Sequence, residues 1–431
     1  MNTKESFMSL PKIILTSSII TLSTLSLQAI QFESLGYKSI SMGGASVANS
    51  SGSAASYNNP ALLAKTPYTV EVTVSAGLSI YDFGARDALS ELSDLDFINI
   101  MDKASNDVNS LNDADRQNLE TGTSVIVDMD GSAIAVDPQG YVGAHIGSFG
   151  FGVYVTSDSA FTATTSAQHD KLYFNNNGNY TDIYDNPVTQ TQYENESVQY
   201  AVENQLSYLD VAGASIAEIP LAYGHNFETN IGDIMVGGAV KYMHAITYIE
   251  TLSFDEDQNN GDTRKDFQSN NFGIDIGLAY QPSFSYDLTF GLVAKNLNGP
   301  EFDFYNGTTY KVDPMVRAGI AYKIFNSLEI ATDIDLTSNK LLNNVIDSQM
   351  LGGGINYEPF SSFFALSLRG GIMKNLHAGD QASAIYTAGM GIGLKMLQID
   401  LSAQTSGNTK EIEGYPVPNY GKINLALISR W

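Results

Sequence analysis

Alternation of apolar and polar residues is the feature that most constrains the fold of this chain. In residues 68–80, one face of an extended strand is apolar and the other carries Thr, Ser, Gly and Glu. The apolar face consists of Tyr68, Val70, Val72, Val74, Ala76, Leu78 and Ile80. About ten residues in this pattern span a bilayer as a barrel strand. A soluble β-sandwich is the alternative, but many segments exceed the roughly five or six residues of its usual strands.

The same pattern recurs along the chain, with connections of two kinds. We predict about fourteen strands, near residues 68–80, 140–147, 149–157, 207–225, 233–251, 270–281, 285–297, 314–324, 328–337, 348–358, 362–374, 384–395, 397–404 and 421–431. Long connections such as 81–139 and 158–206 alternate with short turns such as the one at Ser148. This asymmetry is typical of barrels in the outer membrane of Gram-negative bacteria, where an even strand count returns both chain ends to the periplasmic side. The predicted fold class is all-β, a transmembrane antiparallel β-barrel.

The first 29 residues predict a secretory signal peptide. Lys4 and Lys12 precede the uncharged stretch 13–27, and Ala29 offers a small residue at the cleavage site. Because the stretch is short and rich in Ser and Thr, we favour cleavage over an N-terminal anchor helix. No later stretch is long and apolar enough to span a membrane as a helix. A mature chain that enters a membrane therefore does so as strands.

Composition excludes several classes of function. The chain has no Cys, which removes disulfides, thiolate nucleophiles and Cys-ligated metals. A net charge of −25 argues against direct contact with nucleic acid, because phosphate binding needs Lys and Arg. None of the five His has a metal-binding spacing, and no phosphate loop or nucleophile elbow occurs. We expect no enzyme activity, no catalytic residue, no metal site and no cofactor.

Three connections have features of their own. Apolar residues recur at helical spacing within 86–119, which predicts one or two amphipathic helices on the outer side. These helices either cap the barrel mouth or give an apolar ligand a landing site. Residues 175–197 show no sustained apolar face and are predicted to be a polar loop. In 255–266, acidic residues partly fit a calcium loop, but the Gly is one place late, so a solvated acidic hairpin is favoured.

Charged residues are also predicted on the inner faces of the strands. The set is Asp275, Asp287, Arg317, Glu329, Asp333, Asp335 and Arg369. Opposite charges inside a barrel usually pair and brace its wall, which is our expectation, and a polar channel lining is the alternative. The last strand ends in the aromatic Trp431. This ending resembles the signal that the barrel-assembly machinery reads, so Trp431 is a predicted assembly signal.

The most specific segment is 36–64, GYKSISMGGASVANSSGSAASYNNPALLA. Its Gly, Ala and Ser allow close backbone packing, which suits a plug inside the barrel, and a periplasmic linker is the alternative. Ala48, Ala55 and seven further residues resemble the N-terminal signature of the FadL superfamily of outer-membrane barrels. The seven are also the candidates for gating. They are Met42, Gly43, Gly44, Ala45, Asn59, Pro60 and Ala61. The continuation NPALLA is most similar to the branch named after the conjugal transfer protein TraF, and weaker similarity in 217–242 and 333–371 extends the resemblance over most of the mature chain.

The resemblance implies a domain order, a function and a set of partners. Residues 30–67 are expected to form a hatch in the lumen, gated by the seven signature residues, in front of a barrel over 68–431. The FadL resemblance implies a gated passive channel for small hydrophobic molecules. The TraF-like branch implies the alternative, a structural or partner-binding component of a conjugal transfer or secretion apparatus. The expected partners are outer-membrane lipid, the barrel-assembly machinery, a hydrophobic small molecule and conjugation or secretion proteins, without direct contact with nucleic acid.

Overall fold

The computed structural model describes residues 34–254, 265–285, 287–325, 327–339, 347–361, 364–377, 383–394, 396–412 and 415–431. The predicted signal peptide and most of the calcium-loop candidate, residues 255–264, lie outside the described residues. Within the described ranges, no helix has the length and apolar character needed to cross a membrane.

Among the described residues, fourteen antiparallel strands form a closed barrel, in which each strand pairs with the barrel strands before and after it. The strands are β1 Val70–Asp82, β2 Ala133–Ile146, β3 Phe149–Thr164, β4 Tyr208–Thr229, β5 Gly232–Ser253, β6 Lys265–Pro282, β7 Leu288–Lys295, β8 Met315–Ile324, β9 Leu328–Asp335, β10 Met350–Ser361, β11 Phe364–Asn375, β12 Ile385–Leu394, β13 Leu397–Ser406 and β14 Tyr420–Arg430. The predicted fold class and strand number are confirmed.

The barrel closes between the first and last strands. β1 pairs with β14 from Glu71 opposite Arg430 to Tyr81 opposite Tyr420. Trp431 extends this pairing, because its backbone N–H donates to the Val70 carbonyl at 2.9 Å. The Trp431 side chain is 53% exposed. Its role as an assembly signal stays a prediction.

Side chains sort to the two sides of the wall as the alternation predicts. On β13, Leu397 and Ile399 are exposed on the outside, whereas their neighbours Gln398 and Asp400 are buried inside. An apolar exterior around a buried polar interior is the reverse of a water-soluble β-protein and is the arrangement of a barrel that faces lipid. The β-sandwich alternative is therefore wrong.

The two ends of the barrel differ. Turns such as 147–148 and 230–231 lie at one end, called here the short-turn end, and connections such as 83–132 and 165–207 lie at the other, the loop end. β2 and β3 reach further toward the loop end than predicted. β2 already begins at Ala133, and β3 continues to Thr164. β4 and β5 have 22 residues each, about twice the length that spans a bilayer.

Short helices precede the barrel, and longer ones cover its loop end. The helices are α1 Tyr37–Ser41, α2 Ala55–Asn58, α3 Ala85–Asp94, α4 Phe97–Asn106, α5 Asp113–Asp128, α6 Gln190–Glu196 and α7 Val198–Glu203, with 3₁₀ turns at Gly52–Ala54, Pro60–Lys65 and Val108–Ser110. Small hairpins pair Tyr173–Asn176 with Asn179–Asp182, Glu301–Asp303 with Thr309–Lys311, and Thr409–Ile412 with Tyr415–Pro418. The helices predicted within 86–119 are present as α3 and α4, and a third helix that the pattern did not predict, α5, begins at Asp113.

Helices α3 to α7 form a cap with its own apolar core. Phe97 and Leu119 from the first long connection pack in one cluster with Phe174, Ile183 and Val198 from the second. The prediction that 175–197 is only a polar loop is wrong. Ile183 from this stretch packs in the apolar core with residues of the first long connection, which are distant in sequence. The apolar faces of α3 and α4 pack within this core. This packing favours the role of a cap and disfavours a landing site for an apolar ligand.

Candidate gate inside the barrel

Residues 34–66, called here the N-terminal segment, are almost entirely buried. Ile40, Met42, Val47, Ala55 and Ala61 are each 1% exposed or less. The helices of the segment have only four or five residues. Such short helices are not stable alone, so contacts with the barrel wall must hold the segment in place.

Asp333 on β9 holds the middle of the segment. One of its carboxylate oxygens accepts hydrogen bonds from the backbone N–H groups of Ser46, at 2.7 Å, and Val47, at 2.9 Å. Asp333 itself is 4% exposed. A charged acceptor away from water makes these bonds strong and directional.

The part of the segment around α1 is bound by two other strands. Thr387 on β12 accepts from the Gly43 N–H at 3.0 Å, and its hydroxyl donates to the Ser41 carbonyl at 3.0 Å. Gln404 on β13 donates to the Ile40 carbonyl at 2.8 Å. These side chains satisfy backbone groups that the one-turn helix leaves unpaired.

The closing strands hold a third part of the segment. Glu71 on β1 accepts from the Ser53 N–H at 3.0 Å, and from Arg430 on β14 at 2.9 Å. Arg430 also donates to the Tyr37 hydroxyl at 2.6 Å. Burial raises the pKa of Tyr37 to about 12, so its phenol is neutral at physiological pH. The contacts therefore come from strands on different sides of the ring, which agrees with a place inside the barrel, while a hatch formed by the segment stays a prediction.

Asn59, Pro60 and Ala61 form a turn packed against the opposite wall. The Asn59 side chain accepts from the Ala61 N–H at 3.1 Å and donates to the carbonyls of Val47, at 2.7 Å, and Leu278, at 3.2 Å. Pro60 stands at the first position of the following 3₁₀ turn, where no N–H is needed. The Asn-Pro-Ala signature is thus explained by local geometry.

Glycines in the wall make room for this turn. A Cβ atom on Gly237 of β5 would overlap the backbone of Pro60 and Ala61, and one on Gly277 of β6 would overlap the Asn59 side chain. The sequence reasoning missed these wall glycines. Glycine in a strand does signal close approach of another backbone, but it does not say which one.

Gly43 and Gly44 meet a second glycine-lined part of the wall. Their φ angles are +64° and +83°, which favour glycine. A Cβ on Gly43 would come within 2.5 Å of the Gly353 and Ile372 carbonyl oxygens. Met42 and Ala45 pack nearby in an apolar cluster. All seven signature residues are therefore buried in contact with the barrel or the segment, while their gating role stays a prediction.

Buried ion pairs brace the wall at the level of the segment. Arg317 pairs with Asp335 at 2.5 Å, and Arg369 pairs with Asp400 at 2.7 Å. Gly391 lies on the strand between the latter two residues, and a Cβ there would overlap the Asp400 carboxylate.

Other charged residues on the inner wall are also paired. Lys241 contacts Glu218 at 2.9 Å and Asp275 at 3.1 Å. Glu329 pairs with Lys38 of the segment at 3.0 Å. The expected bracing is present. Asp287, in the turn before β7, is exposed to water but lines the cavity at the short-turn end, which agrees with its predicted inner-face placement.

A polar cavity of about 500 Å³ lies beside the segment at the short-turn end. Lys38, Lys65, Lys323, Glu329 and Glu358 are among its lining residues. The segment thus borders open space on this side. Across the described ranges, no group of three or more His, Asp or Glu is placed to hold a metal ion.

Comparisons with known proteins give a family and a fold. The family model described as "F plasmid transfer operon, TraF, protein" matches residues 56–335. No curated protein matches the chain.

Three solved structures align with almost the whole barrel. The deltaS2 mutant of the monoaromatic hydrocarbon channel TodX is 11% identical and covers 93% of this chain and 100% of its own, with a TM-score of 0.51. The Ralstonia pickettii toluene transporter TbuX is 13% identical and covers 92% and 98%, with a TM-score of 0.50. A Pseudomonas aeruginosa FadL homologue is 10% identical and covers 92% and 98%, with a TM-score of 0.46. At such identities the likeness to TodX and TbuX shows the barrel fold alone.

Proposed function

The chain belongs to the family of the F plasmid transfer operon protein TraF, and from this premise we propose that it is a gated outer-membrane channel for small hydrophobic molecules. The N-terminal segment is the gate. The short-turn end faces the periplasm, and the cap faces the outside of the cell.

The observation that carries this proposal is the way in which the N-terminal segment is held. Its backbone meets wall side chains at separate points, of which Asp333, Thr387 and Glu71 are the main ones. Each such hydrogen bond contributes about 0.5–3 kcal/mol, with charged acceptors at the upper end. The segment is also packed in apolar clusters with the wall, but it contributes no strand to the barrel, so we expect that it can leave the lumen without unfolding the barrel.

The substrate class is supported by the shared fold. TbuX is described as a toluene transporter and TodX as a monoaromatic hydrocarbon channel. A barrel of the same architecture offers such solutes a route past the polar outer leaflet. We therefore propose small aromatic hydrocarbons such as toluene as the substrate class of this chain.

The outer surface supports a location in lipid. Exposed aromatic residues cluster near the short-turn end, including Phe149, Tyr223, Phe284, Phe325 and Trp431. Aromatic girdles mark the membrane interfaces of outer-membrane barrels. Outer-membrane lipid is therefore the expected partner of this surface.

The test is uptake of radiolabelled toluene by cells that express the chain, compared with cells that carry the empty vector. We expect faster toluene uptake and unchanged uptake of a sugar of similar size. A Gly43→Val, Gly44→Val double variant should leak both solutes, because the added Cβ atoms displace the gate. Equal toluene uptake with and without the folded protein contradicts the proposal.

A second function is favoured by the family itself, whose description refers to plasmid transfer. The cap gives a protein partner an acidic outer surface, since Asp and Glu far outnumber Lys and Arg in 83–132. In this alternative, the barrel is a structural or partner-binding component of a conjugation or secretion apparatus. Loss of plasmid transfer on gene deletion, with toluene uptake unchanged, would select it.

A further inference from the structure

The hairpin between β7 and β8 folds into the barrel. Residues 300–312, called here the inner hairpin, contain the paired strands Glu301–Asp303 and Thr309–Lys311. Its apolar side chains are each 1% exposed or less: Phe302, Phe304, Tyr310 and Val312. Tyr305, at the turn of the same hairpin, is 61% exposed. The hairpin therefore has one buried aromatic face and one open face.

The buried face covers an apolar part of the inner wall. This apolar wall patch consists of Ala212, Ala214, Ile216, Met243, Ala245 and Ile249 on β4 and β5. The next inward positions toward the short-turn end are Glu218 and Lys241, which form a buried ion pair. The patch is thus an apolar site that ends at buried charges on the side toward the short-turn end.

Few polar contacts hold the inner hairpin on the patch. The Thr247 hydroxyl donates to the Asp303 carbonyl at 2.6 Å, and the Asn271 amide donates to the Glu301 carbonyl at 3.0 Å. The Tyr310 hydroxyl reaches Asp158 on β3 at 3.3 Å. A hairpin of two three-residue strands is not stable alone. Its position depends on apolar contact, which is non-directional and which an apolar molecule of similar size can replace.

We propose that the inner hairpin is a displaceable plug and that the apolar wall patch is a binding site for a small aromatic or aliphatic molecule. Phe302, Phe304 and Tyr310 occupy the place of that molecule in the closed state. The ligand class rests on the proposed function, whereas the displacement of the hairpin rests on the contacts described above. Binding at the patch requires the hairpin to move away from β4 and β5.

The test uses pairs of introduced cysteines, which are clean targets because the natural chain has no Cys. One variant combines Thr247→Cys with Asp303→Cys, and a second combines Asn271→Cys with Glu301→Cys. Because Asp303 and Glu301 lie on the open face of the hairpin, each pair is locked by a short bis-methanethiosulfonate cross-linker, which a reductant removes, and not by a direct disulfide. Each variant is reconstituted in liposomes, cross-linked or reduced, and exposed to the apolar photolabel 3-trifluoromethyl-3-phenyldiazirine. Mass spectrometry then measures labelling of the apolar wall patch, with the lipid-facing residues as internal control and the single-Cys variants as cross-linking controls.

We expect labelling of the patch in the reduced form, competition by toluene, and at least a fivefold loss on cross-linking, with lipid-facing labels unchanged. Met243→Gln should lower labelling of the patch in the unlocked protein, whereas the same change at Met390, exposed on the outer face, should not. Equal labelling of the patch in locked and unlocked protein overturns the proposal, and so does absence of patch labelling in both.

The same data separate this proposal from the transport function. If labelling depends on the lock but cells take up no extra toluene, the binding site stands and the transport proposal fails. If cells take up toluene and the lock has no effect on labelling, transport stands and the plug proposal is overturned.

Discussion

The N-terminal segment meets the wall through apolar clusters and, in addition, through backbone groups bonded to fixed polar side chains, whereas the inner hairpin meets it mainly through aromatic rings packed on Ala, Ile and Met. The hydrogen bonds are directional, since Asp333 accepts from two specific N–H groups. The apolar contacts are non-directional. The segment is therefore fixed in position by directional hydrogen bonds, whereas the hairpin depends mainly on contacts that an apolar molecule can replace.

The inner wall behind the N-terminal segment also differs from the inner wall behind the inner hairpin. Behind the segment, glycines such as Gly237 and Gly353 bring backbone against backbone, and buried ion pairs brace the strands. Behind the hairpin, the wall has the side chains of Ala, Ile and Met. The predictions below test whether the polar region is as rigid and position-specific as this contrast requires.

The largest effect is expected from breaking the charge bracing. Asp400→Ala leaves Arg369, which is 7% exposed, without its carboxylate partner. Loss of one partner of a buried pair should lower the free energy of unfolding by about 3–5 kcal/mol. Urea unfolding of the barrel in detergent measures it. Asp170→Ala, which removes a half-exposed pair with Lys171, should change little, and equal effects of the two would contradict the bracing role.

Removing the central contact of the segment should have the next largest effect. Asp333→Ala leaves the Ser46 and Val47 N–H groups unsatisfied, at about 1–3 kcal/mol each. The loss should fall on attachment of the segment and appear as faster proteolysis within 34–66 while the barrel stays folded. Asp333→Asn retains an acceptor oxygen and should show much less cleavage. A segment equally protected in the Ala variant would show that this contact does not hold it.

A wall glycine tests the close fit more finely. Gly237→Val places side-chain atoms against Pro60 and Ala61, and overpacking of this kind costs about 1–3 kcal/mol. The neighbouring Gly238→Val is the matched control, because a Cβ there meets only the Asp275 carbonyl oxygen, at 3.6 Å. Hydrogen exchange of residues 59–63 is the measurement. Similar exchange in both variants would mean that the turn is not seated on Gly237.

The smallest effect on the folded protein is expected at the C-terminal residue. Deletion of Trp431 removes backbone hydrogen bonds to Thr69 and Val70 at the very edge of the barrel, so thermal stability of the assembled protein should hardly change. We propose that the amount of assembled barrel nevertheless falls, because the aromatic ending is read during assembly. Heat-modifiable barrel is quantified on gels, with Trp431→Phe as the control. Normal levels after deletion would remove the assembly role.

The barrel was predictable because lipid outside and polar groups inside force a two-residue period on every strand, as on Leu397 to Asp400. The alternation predicted that inner charges pair, but it did not predict which residues pair. Arg369 and Asp400 lie on β11 and β13, with β12 between them, and they meet only because Gly391 on β12 leaves space. The sequence pattern around Asn59, Pro60 and Ala61 indicated a turn, but not the wall glycines that receive it.

The inner hairpin was not predictable for a different reason. Phe302, Phe304, Tyr310 and Val312 are four apolar residues in a polar connection, too few to establish a period. Their partners on β4 and β5 read as ordinary strand residues. Only the closed barrel brings the two sets together, as it also does for the apolar core of the cap.

The central claim is that the N-terminal segment is the gate of the barrel, and single-channel conductance in planar bilayers tests it most directly. One variant lacks residues 36–58, and a second variant combines this deletion with shortened 83–132, 165–207 and 300–312 connections, so that neither the cap nor the inner hairpin blocks the pore. We predict that the intact chain is nearly closed and that both deletion variants give stable, larger conductance steps. Unchanged conductance in both folded deletion variants would contradict the account.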